Sequence, residues 1–177
     1  MNELTSEMLE IDNKEALLSE LMDQYGQEIL QLVYSYVHNI AIAEDLTQDI
    51  FVKCYTSLHT YKGKSTLRTW LWRISINHCK DYLKSWYNKK VIVSETESAF
   101  MGVQHISVEQ TVIQNEEDDR LSSAVLNLPI NYREVIYLFY FQEMPIKEIA
   151  IVIEVKENTV KTRLRRAKEL LKIGLEE

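Results

Sequence analysis

The stretch from Pro145 to Lys172, PIKEIAIVIEVKENTVKTRLRRAKELLK, decides how the rest of the chain is read. Ile146, Ile149, Ala150 and Ile153 fall at i, i+3, i+4 and i+7, which gives one apolar face to a short helix beginning just after a proline. After a break at Glu154 to Lys156, Val160, Leu164, Ala167 and Leu171 recur in steps of four, three and four. At about 100° per residue they form one narrow apolar stripe on a second helix. Its other faces carry Lys161, Arg165, Lys168 and Lys172 at the same spacing, with Arg163 and Arg166 beside them. Two short helices, a three-residue turn and a basic second helix predict a helix-turn-helix whose second helix enters a DNA major groove. A helical hairpin with a merely solvated basic face has the same periodicity, so the cations alone decide little. The order of the parts decides more: I-x-x-I-A, the turn, then N-T-V-K-x-R-L-x-R-A.

Outward from this stretch, the totals bound the rest. A chain of 177 residues, 46% hydrophobic and 27% charged, holds one domain or two small ones with cores of their own. Four Gly and two Pro punctuate it, which favours helices over hairpins. Cys54 and Cys79 lack metal-ligand spacing and read as small core residues in a reduced compartment. His78 and Cys79 are adjacent, so on a helix they point about 100° apart and make a poor zinc pair. No run approaches a membrane span and Met1 to Ile11 has no secretory pattern, so the expected location is cytoplasmic.

The net charge of −7 is unevenly spread. Residues 1–61 hold two basic and eleven acidic side chains, whereas 62–90 hold eight and one. Residues 91–155 then hold three and eleven, and 156–172 hold seven and two. Two basic patches in an acidic chain predict two nucleic-acid contacts with weak binding elsewhere, because unspecific affinity follows phosphate neutralisation.

In chain order, residues 1–13 read as a frayed acidic tail. Leu18, Leu21, Tyr25, Ile29, Leu32 and Tyr36 predict a helix over 14–38. A second helix over 43–59 buries Ala43, Leu46, Ile50, Cys54 and Leu58 and leaves Asp45, Gln48 and Asp49 outside. The loop Tyr61-Lys62-Gly63-Lys64-Ser65-Thr66-Leu67 leads into TLRTWLWRISINHCKDYLKSW, a helix with three lines of residues. Arg73, Asn77, Lys80 and Lys84 form a polar strip between two apolar lines, one through Trp72, Ile76, Cys79, Leu83 and Trp86 and one through Leu67, Leu71, Ile74 and His78. A helix apolar on two sides is held in a core and presents its remaining strip rigidly to something anionic. Aromatics beside cations suit unpaired DNA, which offers bases to stack and phosphates to neutralise, although Trp70 and Trp72 at helical spacing read as core. Residues 91–115 lack periodicity and read as a flexible linker. A further helix starts after Asn115 and ends by Pro129; Asn131 with Glu134 reads as a capping box for the next, with Val135, Ile136, Phe139 and Tyr140 as its core face.

Several of these stretches together resemble bacterial sigma factors, most closely the extracytoplasmic-function group. The carriers are I-A at Ile149-Ala150, N-T-V-K at Asn158 to Lys161, R-L-R-R-A at Arg163 to Ala167, D-L-T-Q-D-I-F at Asp45 to Phe51, T-W-L-W-R-I-x-x-N-x-x-x-D-Y-L from Thr69, and L-P-x-x-x-R-E at Leu128 to Glu134. That family usually places Gly at the turn and a small capping residue before the second helix; this chain has Glu154 and Lys156. The resemblance implies an all-α chain of two small helical domains: a region-2-like domain over 14–90 and a region-4-like helix-turn-helix domain over 116–177, joined by the linker. It implies contacts to core RNA polymerase through Asp45, Gln48, Asp49 and Phe51. It implies that Tyr61, Lys62, Lys64, Ser65, Arg73, Asn77, Lys80 and Lys84 capture the −10 element as single strand, an extruded base held by Asn77 and the loop. The −35 duplex falls to Asn158, Thr159, Lys161, Thr162, Arg163, Arg165 and Arg166. The implied partners are core polymerase, promoter DNA and an anti-sigma protein, which in that family is often membrane-bound.

No Ser/His/Asp set, paired-carboxylate constellation or Gly-rich phosphate loop stands in the sequence, so no catalysis, cofactor, metal or small-molecule substrate is expected. Two other readings fit the composition. One is a stand-alone helix-turn-helix regulator whose first half senses a ligand; the other is a helical adaptor that binds only protein.

Overall fold

The computed structural model describes residues 13–94 and 116–176. They form seven α-helices and no strand: α1 (Lys14–Val37), α2 (Ile40–Ser57), α3 (Leu67–Ser94), α4 (Glu116–Leu126), α5 (Ile130–Ile136), α6 (Ile146–Val152) and α7 (Glu157–Glu176). A short 3-10 turn, Leu58–Thr60, closes α2, and a π-helical turn, Tyr137–Phe141, continues α5. The fold is therefore all-α, as the helical periodicities predict.

Helices α1, α2 and α3 pack on one another, and α4, α5 and α6 pack on α7. His38 takes a left-handed conformation (φ 54°) and donates its N–H to the Tyr34 carbonyl, ending α1. Asn39 then caps α2, its side chain accepting from Ile42 N–H at 3.0 Å. A two-residue join of this kind folds α2 back onto α1. Leu21, Ile29, Leu32, Ile50, Leu71, Trp72 and Ile76 are fully buried among these three helices. Each such side chain contributes about 1.5–3 kcal/mol, an upper estimate because unfolded chains already bury some surface. Val135, Leu138, Met144, Ile149, Val152, Val160 and Ala167 do the same for the last four.

Several sequence expectations need correction. Helix α3 runs on to Ser94, so the first residues assigned to the linker are helical; the rest of it, like most of the expected tail, lies outside the described residues. Asn131 and Glu134 form no capping box: α5 starts from Pro129 without a side-chain cap, and Glu134 points into the protein. The core face also shifts. Tyr137 and Leu138 are buried while Tyr140 is 51% exposed, because the i→i+5 bond from Gln142 N–H to the Tyr137 carbonyl (3.1 Å) inserts one residue into the turn. Tyr140 and Phe141 consequently line an open apolar groove with Leu121, Val125 and Leu171.

The two halves meet. Helix α3 packs on α6, and the end of α1 packs on α5. No described helix is long and apolar enough to cross a membrane.

Candidate nucleic-acid interface

Helix α7 buries Val160, Leu164 and Ala167, the stripe read from the sequence, against α5 and α6. The opposite side leaves Asn158, Lys161, Thr162, Arg165 and Arg166 exposed, with Thr159 half-buried. The turn before it is built without glycine: Glu154 itself takes the left-handed conformation (φ 57°), and Val155 N–H reaches the Ala150 carbonyl at 3.0 Å. A non-glycine residue there costs about 1 kcal/mol, which the packing of α6 on α7 over-determines. Exposed Arg166 pairs with Glu169 at 2.9 Å, a surface pair a phosphate can displace.

Arg163 does not belong to that exposed face. Its guanidinium lies 3.2 Å from the Glu134 carboxylate, with its side chain only 23% exposed, because position 163 points back toward α5. Its assignment as a duplex contact is corrected accordingly; it fixes α7 on α5.

The loop before α3 is pre-folded. Gly63 takes φ 67°, where a side chain would be strained, and Tyr61 donates its hydroxyl to the Ser65 carbonyl at 2.6 Å. The Thr66 hydroxyl oxygen accepts from Thr69 N–H at 3.1 Å, capping the helix. Lys62 and Lys64 are left exposed and Ser65 half-buried. The Tyr61 ring lies 5.7 Å from that of Trp70, which is core together with Trp72. Along α3, Arg73, Asn77 and Lys80 are half-buried and Lys84 is exposed. Lys80 reaches the second half: its ammonium stands 3.0 Å from Glu134.

On α2, Asp45, Gln48 and Asp49 are exposed together, but Phe51 is not beside them. At 3% exposure it is core, which corrects its assignment as a docking residue; it braces the helix that presents the acidic face. Burial pushes the Cys54 and Cys79 thiols up to about 12, in keeping with inert core residues. Among the described residues no group of three or more His, Cys, Asp or Glu is placed to hold a metal ion.

What the sequence did not reveal is the cluster between the halves. Glu134, only 1% exposed, accepts from Tyr36 Oη (2.8 Å) as well as pairing with Lys80 and Arg163. Burial, then the Glu134 charge, raise the Tyr36 phenol well above its usual 10, so it remains a donor. Next to it, Arg133 donates to the Ser35 carbonyl, to His38 Nε2 (2.9 Å) and to the Leu128 carbonyl (2.8 Å). Arg68 on α3 donates to the Gln142 carbonyl (2.8 Å) and side chain (3.1 Å). Only the R-E pair in Leu128 to Glu134 hinted at this cluster.

Two family models match the chain: Sigma-70 region 2 over residues 21–87, and Sigma-70, region 4 over residues 118–171. The ECF RNA polymerase sigma factor SigW of Bacillus subtilis is 31% identical over 161 residues, covering 87% of this chain and 86% of SigW. The chain belongs to the extracytoplasmic-function sigma factors of the sigma-70 family. The RNA polymerase sigma-H factor of Pseudomonas aeruginosa is 28% identical over 163 residues, covering 88% of this chain and 84% of that protein. Among solved structures, the sigma factor RpoE bound to the anti-sigma factor NepR, from Bartonella quintana, superposes with a TM-score of 0.71 at 21% identity, over 89% of this chain and 96% of RpoE. CnrH in complex with the cytosolic domain of CnrY gives 0.66 at 22% identity, over 92% and 89%. In this sigma factor the exposed face of α7 lies within the region 4 match, and the α2 acidic trio and the α3 strip lie within the region 2 match.

Proposed function

We propose that this sigma factor brings core RNA polymerase to promoters and begins transcription by contacting DNA at two places. Asn158, Thr159, Lys161, Thr162, Arg165 and Arg166 read the −35 element as duplex. Tyr61, Lys62, Lys64, Ser65, Arg73, Asn77, Lys80 and Lys84 take the −10 non-template strand as it melts. Asp45, Gln48 and Asp49 dock on the polymerase. The working division is a polymerase and −10 module over 14–94 and a −35 module over 116–177, joined by the residues between them.

The observation that carries this reading is the sidedness of α7, with Val160, Leu164 and Ala167 buried and Lys161, Arg165 and Arg166 exposed on the far face. A rigid basic helix standing clear of its own core suits the major groove. The protein supplies recognition and no bond chemistry, and acts in the cytoplasm. An anti-sigma protein that covers these faces until a signal releases it completes the reading. The test is in-vitro transcription with core polymerase and this chain on genomic fragments, with start-site mapping. Discrete starts that disappear with Arg165→Ala/Arg166→Ala are expected. Starts that persist in that variant overturn the α7 assignment and favour a protein-binding adaptor. Tight duplex binding by the chain without polymerase favours a stand-alone regulator instead.

A further inference from the structure

Glu134 is the one charged side chain buried among the described residues, and its three partners come from different places. Arg163 lies on α7, in the same half of the molecule as Glu134. Tyr36 and Lys80 belong to α1 and α3, in the other half. The flanking bonds cross the same boundary: Arg133 to Ser35 and His38, and Arg68 to Gln142. Lys80 is also a member of the α3 polar strip, in which Arg73, Asn77 and Lys80 are half-buried and Lys84 is exposed, on a helix that packs on α6. An ammonium held on a carboxylate cannot at the same time neutralise a phosphate. A closed arrangement of the two halves and occupation of the α3 strip by DNA therefore compete for one side chain.

We propose that Glu134 is the catch of a self-closed state: in the free chain, Tyr36 and Lys80 clasp it and hold the α3 strip against the second half, and single-stranded DNA binds only after release. The inference rests on the reading of α3 as the −10 surface. The arrangement suits a reversible catch. Once the halves separate, Arg163 stays on Glu134, so opening never leaves the carboxylate without a cation, and water replaces the two lost donors. Lys80 is already 36% exposed, so it swings out with little rearrangement.

The test uses the full-length chain with dyes on Gln31→Cys and Gly174→Cys, both at exposed positions, while Cys54 and Cys79 are buried and resist labelling. Single-molecule energy transfer compares this chain with Tyr36→Phe and with Tyr36→Phe/His38→Leu, which remove cross-boundary bonds from the first half only. Circular dichroism melts check that each stays folded; Tyr36→Phe keeps the buried ring and serves if the double variant does not. A hydrogen bond to a charged group, when lost, shifts such an equilibrium by about tenfold or more. The open population is expected to rise by at least that factor, and affinity for a short mixed-sequence single-stranded DNA is expected to rise with it. An unchanged distance distribution overturns the catch, and opening without tighter binding overturns its coupling to DNA. Start-site mapping with the parent chain judges the promoter role separately, since the distance measurement needs no polymerase.

Discussion

Replacing Glu134 with Ala should destabilise the folded chain by about 4 kcal/mol, and the figure can be built from its surroundings. Tyr36 is 6% exposed and its hydroxyl loses its acceptor in the variant, which costs about 2 kcal/mol for an unsatisfied buried group. Arg163 and Lys80 have side chains 23% and 36% exposed, so each turns partly to water and loses about 1 kcal/mol rather than the 3–5 kcal/mol of a fully buried pair. Relief of carboxylate desolvation offsets part of the sum, and loss of side-chain packing adds to it. Glu134→Gln keeps an acceptor and the shape but not the charge, and should cost about half as much. Urea unfolding followed by circular dichroism at neutral pH gives the numbers. A double-mutant cycle with Tyr36→Phe should return a coupling of about 1–2 kcal/mol. A Glu134→Ala midpoint that corresponds to less than about 1 kcal/mol would refute the reasoning, since it would mean that the carboxylate lies in water and the three donors do not converge on it.

Three further outcomes follow from the same geometry. Burial, and then the Arg133 charge, lower the His38 pKa below 6.5, so the neutral ring is favoured in the folded state, where Nε2 accepts from Arg133. His38 therefore contributes stability above the unfolded value that is lost as pH falls through the folded one; unfolding free energy should drop on acidification past 6.5, and His38→Gln should flatten that segment of the profile. At Glu154, whose φ is 57°, Gly should be neutral or stabilising by up to about 1 kcal/mol and Val destabilising by more than that, read from thermal melts. Arg165→Ala should weaken polymerase-dependent promoter binding by roughly tenfold and, if the contact is to phosphate, lower the log–log salt slope by about 0.9, read from filter binding across a salt series.

How much was legible in advance depends on whether an element is held by neighbours in sequence or across space. Helices α1, α2 and α7 carry their apolar residues at 3.6-residue spacing, so Leu21, Ile29, Ala43, Ile50, Val160 and Leu164 are core as their periodicity predicts. The free face of α7 followed from the same arithmetic. Phe51 and Arg163 were misplaced because a residue one helical step from an exposed face can still point inward, and the motif that carries them does not record which way they point. Glu134 failed for a different reason. Its sequence neighbours suggest a capping box, whereas its partners stand 98, 54 and 29 positions away, and no local pattern encodes a buried carboxylate satisfied from that distance. The π turn after α5 was equally invisible, since one inserted residue shifts Tyr140 from the core to the groove without any glycine or proline to mark it.

The central claim is that two separate faces of this sigma factor meet one promoter at two places. Photo-crosslinking tests it most directly, with a photoreactive residue placed at position 165 or at position 77 in the assembled complex of core polymerase, this chain and a mapped promoter. Position 165 should attach to duplex DNA near −35, and position 77 to the non-template strand near −10 only in the melted complex. Crosslinks from both positions to polymerase subunits alone, or to the same stretch of duplex, would contradict the account.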